Sequence, residues 1–399
     1  MDTLRFCTAG SVDDGKSTFV GRLLHDTKSV LADQLAQVEQ TSARRGFAGL
    51  DLSLLVDGLR AEREQGITID VAYRYFSTPN RTFILADTPG HVQYTRNTVT
   101  GISTSQVVVL LVDARHGVVD QTRKHLTVAA LLGIRTVILG VNKIDLVDYS
   151  EDVFRAIEGE FRAVAADLGI ADPHAIPISA LHGDNVVDAS PRLPWYFGPT
   201  ILELLETIPV DPGDSRLDFR FPIQYVIRAT DYRGYAGQVA TGTIAVGDTV
   251  TTPHGSTTVT AIDTTDGPAT SAHAGDSVTL RLADDIDLSR GDLLATNRPP
   301  NIRSFAATII GLDDTPVTTN TVVHLRYGTS LVKARVADSV AVNDIVHTTV
   351  ELQHDLPIYS YAARGAVGSF LLVDNHTGST LAAGLVAGPP RVPAPATPV

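Results

Sequence analysis

Along the first half of the chain, two textures alternate. Short, nearly unbroken apolar runs rich in Val, Ile and Leu recur at residues 4–9, 82–86, 107–112, 136–141 and 175–178. Runs of that kind mark strands buried on both faces. Between them lie stretches of helical spacing at 17–24, 122–132, 152–168 and 201–207. Strand and helix in alternation over residues 1–208 predict an α/β domain, doubly wound about a mostly parallel sheet. Pro209, Pro212 and Gly213 break the pattern and mark a linker.

Beyond the linker the period changes. Short β-branched runs such as 238–244 and 248–252 are separated by Gly, Asp and Pro. Their even spacing over 216–298 predicts a small β-barrel, and a second β-rich stretch at 301–388, after Pro299 and Pro300, predicts another. The Pro- and Ala-rich residues 389–399 are expected to form a disordered tail. The sequence holds no tandem repeat and no second phosphate loop.

Bulk composition narrows the class. A chain of 399 residues is too long for one ordinary core. With 32 basic against 45 acidic residues the net charge is −13, which argues against a general nucleic-acid surface. Only five lysines occur, and Lys333 alone follows Lys143. The single Cys7 excludes an internal disulfide and suits a reducing cytosol; on a buried strand it reads as core, not nucleophile. The apolar run 107–112 is far too short to cross a bilayer, and no leader is expected before residue 10. A cytoplasmic protein without membrane or nucleic-acid partners is therefore expected.

Three strings carry the chemistry. Gly10, Ser11, Val12, Asp13, Asp14, Gly15, Lys16 and Ser17 complete the pattern G-x-x-x-x-G-K-[ST], with Thr18 following, between a strand and a helix. The glycines let backbone N–H groups turn inward around phosphate oxygens at a positive helix N-terminus. Lys16 can reach the β- and γ-phosphates, and the Ser17 hydroxyl can sit on Mg²⁺. Asp87, Thr88, Pro89 and Gly90 follow a buried-type strand about seventy residues later. The Asp87 carboxylate can hold Mg²⁺ through water, and Gly90 lets a backbone N–H approach the γ-phosphate.

Asn142, Lys143, Ile144 and Asp145 follow the next strand but one. The Asp145 carboxylate can accept from both the N1–H and the 2-amino group of guanine, a pair adenine does not present, so guanine is selected. Asn142 would brace the loops and the Lys143 stem would cover the base. Ser179, Ala180 and Leu181, after the last strand, would offer a backbone N–H to the base oxygen. Thr68 is the candidate that closes over Mg²⁺ and the γ-phosphate as an order–disorder switch. His91 would orient the attacking water, with Val12 and Ile67 as apolar neighbours that keep it out until activation.

At this point the chain resembles the large GTPase subunit of the heterodimeric bacterial sulfate adenylyltransferase, a relative of elongation factors Tu and 1A. The carrying strings are RFCTAGSVDDGKST at 5–18, LVDGL at 55–59, EREQGITID at 62–70 and DTPGHVQYTRN at 87–97. FPIQYV at 221–226, DYRGYAG at 231–237, IDLSRGD at 286–292 and, more loosely, GSFLLVD at 368–374 extend it downstream. Asp14 separates the chain from elongation factors, which usually carry His there.

The resemblance implies a P-loop GTPase domain followed by two barrels, binding GTP or GDP with Mg²⁺. It implies a separate, smaller catalytic subunit that makes adenosine 5′-phosphosulfate from ATP and sulfate, driven by GTP hydrolysis here. Residues 26–65, rich in helix formers, are expected to face that partner. A fused adenylylsulfate kinase is not expected, and the third domain looks short for the family. The alternatives are a translation-type GTPase delivering charged tRNA and a nucleotide-controlled scaffold.

Overall fold

The computed structural model describes residues 3–44, 46, 50–56, 71–90, 95–209, 217–328, 330–361 and 367–388. Two compact units divide the chain, Met1–Val210 and Asp211–Val399. Thr68, His91, Ile67, much of 55–70 and the tail 389–399 lie outside the described residues.

In the first unit six strands form one sheet in the order β2-β3-β1-β4-β5-β6. They are β1 (Thr3–Gly10), β2 (Ala72–Ser77), β3 (Thr82–Asp87), β4 (Val107–Asp113), β5 (Thr136–Asn142) and β6 (Asp172–Pro177). All pair in parallel except β2, an antiparallel edge on β3. The apolar runs are buried from end to end in β4, as strands covered on both faces must be. Phe6, Phe76 and Phe83 meet in the core of this unit, Phe76 stacked 4.7 Å from Phe83.

The predicted elements stand, with shifted ends and two additions. Helix α1 runs Lys16–Asp26, and α2, Ala32–Arg44, is the described part of the segment expected to be helix-rich. Strand β6 starts and ends earlier than residues 175–178 suggest. β2 and the helix Thr95–Ser103 were not legible as elements. The helix is poor in helix formers and is held by burial of Val99 and Ile102 and by the Thr98 hydroxyl donating to Pro89 O at 3.0 Å.

The second unit contains two antiparallel rings. In the first, the order is Thr249–Thr252, Leu293–Ala295, Arg220–Ala229, Tyr232–Gln238, Ser277–Leu282, Gly255–Thr264. Pairing of Thr249–Thr252 with Gly255–Thr264 closes it around Phe219, Phe221, Tyr235 and Leu280. The run 238–244 is not one strand: the chain turns at Gly242, with φ +75°, between Tyr232–Gln238 and Thr243–Ala245. The second ring, Asn301–Gly311, Ile345–Pro357, Ser330–Val336, Val323–Tyr327, Ser369–Val373 and Thr380–Val386, is a closed barrel. Phe305 and Phe370 meet edge to face in its core, their centroids 5.6 Å apart.

Candidate nucleotide site

The C-terminal ends of β1, β3, β4 and β5 lie side by side, and the loops leaving them converge. This is where a doubly wound sheet binds ligands. Register sets the convergence: Thr8 stands opposite Asp87, Gly10 opposite Leu111 and Asp113 opposite Asn142. The Thr8 hydroxyl donates to Asp87 Oδ1 at 2.8 Å, and the Thr88 hydroxyl donates back to Thr8 O at 2.5 Å. Both residues are fully buried, so β1 and β3 are locked together where the predicted Mg²⁺ carboxylate sits.

The loop from Gly10 to Gly15 wraps closely. Gly15 caps α1 with φ +87°, and a Cβ there would lie 2.3 Å from the Asn142 amide nitrogen. A Cβ on Gly90 would strike the Lys16 amine, Gly10 O and Ser11 O. These two positions admit only glycine. Lys16, starting α1, is buried and donates from Nζ to Gly10 O at 3.0 Å and Ser11 O at 2.6 Å. Burial lowers its pKa, opposed by the charges of Asp14, Asp87 and Asp13. Asp14, also buried, accepts from the Ser11 N–H at 2.5 Å; burial raises its pKa, and that N–H and Lys16 oppose the rise. The Ser11 hydroxyl is buried and meets no partner among the described residues. Ser17 and Thr18 occupy the first turn of α1, while Val12 and Asp13 are exposed.

Asn142 braces three segments, as the sequence suggests. Its amide donates to Asp14 O at 2.7 Å, and its Oδ1 accepts from the Ala180 N–H at 2.9 Å. Lys143, with φ +59°, reaches back to donate to Asp13 O and lies 3.0 Å from Asp113 Oδ2. Ile144 is buried, and its N–H donates to Ile178 O at 3.2 Å. The Asp145 carboxylate is the unusual group. Its Oδ1 is buried without a hydrogen-bond partner among the described residues, while Oδ2 is 3.9 Å from His182 Nε2. It lines a cavity of about 220 Å³, together with Gly15, Thr18, Lys143, Ser179, Ala180 and Leu181. An orphaned carboxylate oxygen is costly, and the cost disappears when a donor-bearing ligand enters.

Several residues of the site escaped the sequence reading. Asp113, at the end of β4, is gripped by Arg115 through bonds of 2.6 to 3.2 Å and by Lys143. Burial would raise its pKa, but these partners hold it well below the usual carboxylate range. Arg22 on α1 donates to the carbonyls of Ala180 and Leu181. His125, on the helix Asp120–Leu131, is buried with Nε2 2.9 Å from the Gln121 amide, and burial plus the Lys16 charge push its pKa down to about 3. None belongs to a short motif; each is found only by its place in three dimensions. Cys7 is fully buried in β1, and burial pushes its thiol up to about 12.

The Asp87 carboxylate and Ser17 hydroxyl are hard oxygen donors suited to Mg²⁺. Among the described residues no cluster of three or more His, Cys, Asp or Glu could hold a metal. Among the described residues, too, no helix is long and apolar enough to cross a membrane.

Residues 1–210 match the elongation factor Tu GTP binding domain. The chain is 50% identical to the bifunctional enzyme CysN/CysC of Mycobacterium tuberculosis, across 96% of this chain and 67% of that protein. It is 47% identical to sulfate adenylyltransferase subunit 1 of Bacteroides fragilis, covering 96% and 86%. The GTPase-like domain of S. cerevisiae Ski7 bound to GTP superposes with a TM-score of 0.54 over 97% of each chain, at 18% identity, a likeness of fold. The chain belongs to the sulfate adenylyltransferase subunit 1 family, built on a GTP-binding domain of the elongation factor Tu type.

Proposed function

We propose that this chain is the GTP-hydrolysing subunit of a sulfate adenylyltransferase. It binds GTP with Mg²⁺ and hydrolyses it so that a smaller partner subunit can form adenosine 5′-phosphosulfate from ATP and sulfate. The observation that carries the nucleotide assignment is the orphaned Asp145 Oδ1 in a cavity whose other wall is the start of α1. The N1–H and 2-amino group of guanine satisfy that carboxylate, while the phosphates lie toward the loop Gly10–Ser17. Family membership supports the sulfate reaction over delivery of a charged tRNA or a scaffold role.

Within this reading the backbone from Gly10 to Thr18 cradles the phosphates, and Lys16 leaves Gly10 O and Ser11 O for phosphate oxygens. Thr88, Pro89 and Gly90 carry the chain past the γ-phosphate, close to Lys16. Ser17, Asp87 and Thr68 would hold Mg²⁺, which neutralises charge on the β- and γ-phosphates. Asn142, Lys143, Ile144 and Asp145 bind the base with Ser179, Ala180 and Leu181. His91 orients the attacking water, and hydrolysis then changes which contacts the partner finds, since a ligand drives a change only through differential affinity.

Calorimetric titration of the purified chain with GTP and ATP tests the site. GTP is expected to bind at least a hundredfold tighter, because ATP leaves Asp145 unpaired. Equal affinity would refute the assignment. Co-purification with the companion subunit of the same source tests the partner; absence of a complex with GTP, GDP and no nucleotide alike would refute that part.

A further inference from the structure

The loop 179–183 is wired almost completely. Ser179 N–H donates to Asp184 O at 3.2 Å, Ala180 N–H to Asn142 Oδ1, His182 N–H to the Ser179 hydroxyl at 3.3 Å and Gly183 N–H to Ser179 O at 2.7 Å. Its two consecutive carbonyls, Ala180 O and Leu181 O, are both taken by one side chain. That side chain is Arg22, whose Nε lies 3.1 Å from Ala180 O and whose Nη2 donates to Leu181 O. Among the described residues the Leu181 N–H has no acceptor.

Arg22 is itself fixed. It lies on the second turn of α1, the helix capped by Gly15, and is 19% exposed. Its Nη1 is 3.5 Å from Asp26 Oδ1, which in turn is 2.6 Å from His25 Nδ1. Gly183, with φ +85°, turns the loop beside it. The guanidinium plane can serve two carbonyls at once, which a lysine amine on a flexible stem does poorly.

Peptide planarity turns this grip into orientation. The Ala180 C=O and the Leu181 N–H share one trans peptide plane and point in opposite directions. Holding the carbonyl toward α1 therefore fixes the N–H away from it.

We infer that Arg22 is a positioning residue for base recognition: it clamps Ala180 O and Leu181 O so that the Leu181 N–H is presented to the 6-oxo group of guanine. This rests on the guanine-nucleotide reading of the cavity that Arg22 and Leu181 both line. It also joins the phosphate end of α1 to the base end of the pocket through one side chain. Its signature is specific to the 6-oxo group, and a merely structural role would not show that selectivity.

The test is binding of GDP and of 6-thioguanosine diphosphate, whose sulfur is a poor acceptor, to the wild-type chain, Arg22→Met and Arg22→Lys. Arg22→Met is expected to weaken GDP about tenfold, the loss of one oriented hydrogen bond in a low-dielectric pocket. Binding of 6-thioguanosine diphosphate should change less than threefold. Arg22→Lys should fall between wild type and Arg22→Met for GDP, and carries the test if Arg22→Met does not fold. Equal losses for both nucleotides, or no loss for GDP, would overturn the inference while leaving the site reading intact. A wild-type chain that does not prefer GDP over ADP would instead sink the site reading.

Discussion

Replacing Asp145 with asparagine isolates the group on which the proposed base selection rests. The carboxylate has one buried oxygen without a partner and its other oxygen 3.9 Å from an exposed His182. Guanine supplies two donors to it, and hydrogen bonds to a charged acceptor contribute about 1.5–3 kcal/mol each. Asparagine keeps one neutral acceptor and turns an N–H toward the second guanine donor. The loss is therefore about 3 kcal/mol or more, about a hundredfold or more in the dissociation constant for GDP. Xanthine reverses the match, because its 2-oxo group accepts from the new amide while its N1–H still donates. Xanthosine diphosphate should gain about tenfold or more on the variant. Parallel titrations of both nucleotides against both proteins give the four constants needed. GDP binding within threefold of wild type, or no gain for xanthosine diphosphate, would refute the reasoning.

Other sites give independent checks. Asn142→Ala strands the Asp14 carbonyl and the Ala180 N–H in a buried place, so urea unfolding should show a loss of about 2–4 kcal/mol, with weaker GDP binding. Asp113 has a folded pKa held below its ordinary 3.8, so it contributes stability above that pH and loses it as pH falls through the folded value. Asp113→Asn should thus destabilise the chain at pH 7 and much less at pH 2; equal losses at both would contradict the sign. His91→Ala should slow partner-stimulated GTP hydrolysis about a hundredfold while leaving GDP affinity unchanged, read by phosphate release.

What could be read from the sequence was what chemistry makes obligatory. A loop that turns backbone amides onto phosphates tolerates no side chain at Gly15 or Gly90, so those positions and Lys16 stand out in one dimension. The same holds for Asp145 in the proposed site, where only a carboxylate would meet two guanine donors. Asn142 was legible as a brace because it sits inside a motif. Arg22 was not: its partners are 158 and 159 positions away, and an arginine on a helix surface is unremarkable until the fold places it. Asp113 likewise meets Lys143 only once β4 and β5 pair, although Arg115 is its near neighbour along the chain. The helix Thr95–Ser103 shows tertiary burial overriding weak propensity. Gly242 shows the reverse, one residue's backbone breaking a run that composition favours as strand.

The most direct measurement follows adenosine 5′-phosphosulfate formed by the complex of this chain with its companion subunit from ATP and sulfate. GTP and a nonhydrolysable GTP analogue are compared at saturation. With GTP, product should rise beyond the level the unassisted reaction reaches at equilibrium, in step with phosphate released. With the analogue it should stop at that level. Equal final product in the two reactions would contradict the claim that GTP hydrolysis drives the synthesis.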